Sequence, residues 1–133
     1  MSNFDPRRHL LLLYRYSAEL ADMIRAEGIT PDSLRCSVMQ QRAVVKSLEL
    51  IGEQAWLLDR AGERIPGVEL HLLGGMRHRL VHNYEGINWN VVEDAAFVDN
   101  EELLVLLESE VGMLDENLAE GTQGDLGDGD IGI

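Results

Sequence analysis

Apolar residues in this chain return at spacings of three and four from about Asp5 to Leu118, and no stretch shows the strict alternation of a half-buried strand. A first helix is predicted to open at Asp5-Pro6, a capping residue followed by a proline at the first helical position, and to end at Glu27 before Gly28. Its buried stripe is Leu13, Tyr16, Leu20, Met23 and Ile24. Thr30-Pro31 repeats the same grammar and predicts a second helix to about Leu58, with Leu34, Val38, Val45, Leu48 and Ile51 on one side and Gly52 interrupting the run. Two long helices joined by a short glycine-containing turn pack as an antiparallel pair.

The run from Ala61 to Gly67, with two glycines and a proline, reads as a loop. A third helix is predicted from about Val68 to Val81 or His82, with Leu73, Met76 and Leu80 facing the core. Gly86 and Asn88 punctuate a turn, a fourth helix covers about Asn90 to Phe97, and a fifth starts at Asp99, where Glu102 completes a capping box. Leu103, Leu106, Leu107, Val111 and Leu114 carry it to about Leu118. The expected fold is all-α, an antiparallel helical bundle of four to five helices. It divides into a helical domain over 1–118 and an acidic Gly/Asp-rich tail over 119–133, for which flexibility is expected.

Charge sharpens that division. The formal net charge is -13 over 133 residues, and all 11 lysines and arginines lie at or before position 84. Beyond it stand 14 acidic residues and no basic one, which argues against a general nucleic-acid binder. The acidic third could face a basic partner, with solubility as the default reading. The tail does not meet the EF-hand pattern, and its glycine-aspartate alternation is too short for a calcium-binding repeat. Cys36 is the lone cysteine, so an internal disulfide is excluded. With no leader pattern and no apolar run of spanning length, a cytoplasmic location without membrane contact is expected.

The segment Gly74-Gly75-Met76-Arg77-His78-Arg79-Leu80-Val81-His82-Asn83-Tyr84 concentrates the candidate chemistry. It reads R-x-x-x-x-H-x-Y. On a helix His78 and His82, four apart, lie above one another, while Arg77 and His82, five apart, diverge by about 140°. His71, His78 and His82 share a stripe with the two glycines, away from the apolar one. Each glycine costs a helix on the order of 1 kcal/mol relative to alanine, a cost that makes sense where another backbone or a ligand comes close. Taken singly, His71 reads as an ordinary surface or interface histidine, Arg77 and Arg79 as solvated helix charges, and Tyr84 as a residue packed beneath the helix end, but jointly these readings must explain a coincidence of residue types at fixed spacing. His78 and His82 could ligate a metal with His71, but the motif supplies no carboxylate and no H-E-x-x-H arrangement, so no metal is expected.

The run Ser47-Leu48-Glu49-Leu50-Ile51-Gly52-Glu53, followed by Gly75 to Tyr84 and then Gly86-Ile87-Asn88, resembles the HepT-like branch of the HEPN superfamily over roughly Asp5 to Leu118. That resemblance implies a small helical bundle that dimerises, an RNase toxin paired with a nucleotidyltransferase antitoxin. It implies Arg77 and His82 as the catalytic pair, with His78 as the polar residue after the arginine. It also implies Tyr84 as the tyrosine that the antitoxin modifies with AMP. Two departures stand out: asparagine is most familiar where His78 stands, and the acidic tail is not a family feature.

The residues themselves suit such chemistry. RNA cleaves when its 2'-hydroxyl attacks the adjacent phosphate, provided a base takes the proton, an acid protonates the leaving oxygen and a cation steadies the anionic phosphorus. Histidine suits the first two tasks near neutral pH, and arginine's fork of donors suits the third. A twofold homodimer closing over Gly74 and Gly75 would bring two copies of Arg77 and His82 into one groove, with His78 and Arg79 supporting phosphate or proton transfer and no cofactor required. The alternative is an inactive dimeric adaptor that binds a nucleotidyltransferase or a nucleotide; the negative charge favours it.

Overall fold

In a computed structural model, residues 3–82 and 84–121 are described, and the side chains at 81, 82, 84 and 115–121 fall outside that description. All regular elements among the described residues are helical, as the apolar periodicity predicts. Helix α1 (Pro6–Glu27) starts and stops where its capping residues place it. The Asp5 carboxylate accepts from the Arg7 backbone N–H at 3.1 Å. At the other end Gly28 takes φ 62, the left-handed conformation that a glycine enters without strain.

The second expected helix is in fact two. Helix α2 (Pro31–Cys36) opens on a reciprocal capping box between Thr30 and Ser33 and lasts less than two turns. Ser37 then adopts an extended conformation (φ -120, ψ 113) and caps α3 (Val38–Arg60) by accepting from the Gln40 N–H at 3.1 Å. Gln41 closes the junction, its side-chain amide donating to the carbonyls of Leu34 and Arg35 that the end of α2 leaves without helical partners. The break also overturns the assignment of Val38 to the buried stripe: as the first residue of α3 it is 59% exposed. Leu34, Val45, Leu48 and Ile51 are buried as expected.

After a loop turned by Gly62 and Gly67, both at φ 81, helix α4 (Leu70–His82) begins two residues later than predicted. A 3-10 turn (Tyr84–Gly86) leads to α5 (Trp89–Glu93), capped by the Asn88 side chain on the Asn90 N–H. Here the expected fourth and fifth helices prove continuous. The chain passes from α5 through a π-helical turn (Asp94–Asp99) into α6 (Asn100–Gly121) without leaving helical dihedrals, so Asp99 forms no capping box with Glu102. The buried side chain of Asn100 locks this region to α1, accepting from the Ser17 hydroxyl at 2.6 Å and donating to the Ser17 carbonyl at 3.0 Å. Helix α6 runs three residues past the expected end at Leu118, and residues 122–133, most of the acidic tail, lie outside the described residues.

Helix α3 is the centre of the bundle, packed against α1 on one side and α4 on the other, while α6 covers α1. Leu13 and Leu20 from α1, Val44, Leu48 and Ile51 from α3 and Leu107 from α6 are among the fully or almost fully buried side chains. Cross-contacts fix the register of α3 and α4: Glu53 meets Arg77, Trp56 meets Gly74 and Asp59 meets His71. Rising numbers on one helix meet falling numbers on the other, so the pair is antiparallel. No described helix is long and apolar enough to cross a membrane.

Candidate active site

The α3–α4 seam positions Arg77, and Gly52 is the reason it can. A Cβ added at Gly52 would lie 2.3 Å from Arg77 Cβ, 2.9 Å from the Leu73 carbonyl oxygen and 3.2 Å from Arg77 Cα. No side chain fits there, so the two helices cross with the backbone of α3 against the base of Arg77. The next residue, Glu53, then brings Oε1 to 2.9 Å from Arg77 Nε. Both side chains of this ion pair are about a third exposed (32% and 37%). Paired charges at that exposure contribute roughly 0–1 kcal/mol, too little to explain the contact as a device for stability.

One helical turn further along the seam, Gly74 is buried against Trp56, where an added Cβ would sit 3.1 Å from Trp56 Cβ and 3.2 Å from its Cα. Gly74 thus has a part inside the single chain. The close approach it permits within the chain is between α3 and α4. Gly75 differs: it is half-buried, and among the described residues an added Cβ there would meet only Arg79 Nη1, at 3.6 Å.

The division of α4 into two faces holds where it can be read. Leu70, Met76 and Leu80 are buried and Leu73 half-buried, while His71, His78 and Arg79 are exposed. His71 lies 3.8 Å from Asp59 with its side chain 85% exposed, the surface histidine that its isolated position suggests. Seven residues separate it from His78, about 10 Å along the axis. Among the described residues no group of three or more His, Cys, Asp or Glu side chains could hold a metal ion. His82 ends α4 and Tyr84 begins the 3-10 turn, so both backbones are placed next to the Arg77 region in sequence, but their side chains lie outside the described residues.

What sequence reasoning missed is Glu53. The Ile51-Gly52-Glu53 run figured in the resemblance without a role. The signal available was a glycine inside a strongly helical stretch, followed at once by a carboxylate: an isolated glycine there marks a close backbone approach, and the residue beside it is carried to the same crossing.

Residues 13–110 match the family described as Ribonuclease HepT-like. A protein of Caldanaerobacter subterraneus subsp. tengcongensis named "Putative RNase" is 31% identical over 80 residues, which cover 59% of this chain and 71% of that one. No solved structure matches significantly. The chain belongs to the HepT-like ribonuclease family. Its expected all-α bundle and the resemblance read from the motif are both borne out.

The tight crossing predicts a contrast between two helical glycines. Alanine normally stabilises a helix interior by about 1 kcal/mol over glycine. Gly112→Ala, with nothing within 4 Å of the added Cβ, is expected to raise the unfolding midpoint by that mechanism. Gly52→Ala reverses the sign, because the atoms in the way include backbone of α4, and overpacking costs about 1–3 kcal/mol. Urea unfolding followed by circular dichroism checks both; equal effects would mean that the helices do not cross in contact at Gly52.

Proposed function

We propose that this protein is a metal-independent endoribonuclease toxin that cleaves RNA by 2'-hydroxyl attack, with Arg77 and His82 as catalytic residues in the groove of a homodimer. The observation that carries the reading is the family match over residues 13–110 together with the anchoring of the motif arginine at the α3–α4 crossing. In this reading Arg77 steadies the charge that develops on the phosphorus, and one His82 takes the 2'-hydroxyl proton while the partner's copy protonates the leaving 5'-oxygen. His78 and Arg79, exposed on α4, support phosphate binding or proton transfer. A nucleotidyltransferase antitoxin silences the enzyme by placing AMP on Tyr84.

The test is RNA cleavage by the purified chain in the presence of EDTA, with the products analysed for 2',3'-cyclic phosphate ends. Cleavage in chelator with cyclic ends is expected. Activity that vanishes in EDTA and returns with a divalent ion would overturn the mechanism, and a folded dimer that cleaves nothing would leave the adaptor reading, which the net charge of -13 favours.

A further inference from the structure

We infer that Glu53 is a positioning residue for RNA cleavage: its carboxylate holds Arg77 by Nε so that the outer nitrogens of the guanidinium meet the scissile phosphate. The inference rests on the reading of Arg77 as the phosphate-binding catalytic residue and adds to it a residue from another helix. Two observations at the α3–α4 crossing converge. Gly52 strips the crossing of side chain so that the base of Arg77 seats against α3. Glu53, one residue on, then places Oε1 2.9 Å from Nε.

A carboxylate is the wrong neighbour for a group that merely binds a polyanion, since its charge weakens attraction for every phosphate that arrives. It is a sensible neighbour for a group that must already be aimed when the phosphorus becomes crowded. Arginine has a long side chain with many rotamers, and holding it by one nitrogen removes that freedom before the substrate arrives. The guanidinium carries five N–H donors; an ion pair at Nε leaves Nη1 and Nη2, with four of them, as the fork that matches two phosphate oxygens. Attraction then grows with the charge that develops in the transition state, which raises turnover more than ground-state binding.

Glu53 raises turnover at the expense of ground-state binding, so its removal lowers kcat without raising KM, and this separates positioning from a structural role. Steady-state cleavage of a short RNA should be measured for the wild type, Glu53→Gln and Arg77→Ala at one fixed salt concentration, because phosphate binding depends on salt. Arg77→Ala is expected to be inactive. Glu53→Gln keeps the side-chain volume and is expected to lower kcat by at least about 10-fold, since small misplacements of an aligned group have effects of this size or larger. Its KM should stay the same or fall, because a negative charge has left the RNA site, and its thermal midpoint should stay within a few degrees of the wild type, because a pair this exposed contributes little to stability.

Wild-type kcat in Glu53→Gln beside an inactive Arg77→Ala overturns the positioning role and leaves the proposed function standing. A kcat loss accompanied by a raised KM and a collapsed thermal midpoint also overturns it, in favour of a structural part. Full activity of Arg77→Ala overturns the assignment of Arg77 itself, and Glu53 falls with it.

Discussion

His82→Ala and Arg77→Ala are each expected to abolish RNA cleavage while leaving the helical circular dichroism unchanged. The Arg77 side chain is about a third exposed and gives up an ion pair of small stabilising value, and His82 is the last residue of α4, where loss of a side chain leaves the preceding helical hydrogen bonds intact. General acid–base groups of this kind contribute about 10²–10⁴-fold each, so a site that uses His82 twice has the most to lose. The dimer can be read from the same variant. When wild type and His82→Ala are unfolded together in equal amounts and refolded, random pairing makes about a quarter of the dimers fully wild type. A groove that needs both copies of His82 then keeps about a quarter of the activity, whereas independent sites keep about half. Retention of half the activity would refute the shared groove, and a monomeric mass by light scattering would refute the dimer.

The parts of this molecule that were legible in the sequence are those governed by local chemistry. Asp5-Pro6 and Gly28 bound α1 because a side-chain acceptor, a proline and a left-handed glycine act within one turn of themselves. Ser37 illustrates the limit. Ser37 and Gln40 have the serine and glutamine spacing of a capping box, yet the helical spacing of Leu34 and Val38 masked it, and the chain breaks where the serine can cap. Asp99 illustrates the reverse. It stands three residues before Glu102 as a cap should, but the buried pairing of Asn100 with Ser17, 83 positions away, keeps the chain helical through that point. Long-range contacts of this kind leave no periodic trace.

The candidate site divides along the same line. The motif placed Arg77, His78 and Arg79 correctly on one short helix because spacing on a helix is local. The partner that holds Arg77 belongs to another helix, 24 positions earlier, and only the crossing of α3 and α4 brings it near. Gly74 was read as a place where something must come close, and the neighbour the structure shows is Trp56 of the same chain. A glycine in a sequence announces proximity without naming the partner.

Tyr84→Phe is expected to separate catalysis from its proposed control. Incubation of the wild type with the cognate nucleotidyltransferase and ATP should add AMP to the chain, read as a mass increase, and should stop RNA cleavage without unfolding. Tyr84 opens the 3-10 turn two residues after His82, the end of α4, so a group attached to its hydroxyl has the length of a tyrosine side chain with which to reach the same groove. AMP adds a negative phosphate and a large base. The phosphate competes with RNA for Arg77 through the same charge-assisted hydrogen bonds, and the base fills space that the substrate needs. Removal of the hydroxyl removes the point of attachment and leaves the ring, so Tyr84→Phe should resist modification and keep cleaving RNA in the presence of nucleotidyltransferase and ATP. Mass spectrometry of the digested protein identifies the modified residue. AMP found on another side chain, or a Tyr84→Phe protein that is still modified and silenced, would remove Tyr84 from the mechanism; an unmodified Tyr84→Phe protein that is silenced all the same would show that the nucleotidyltransferase inhibits by binding alone.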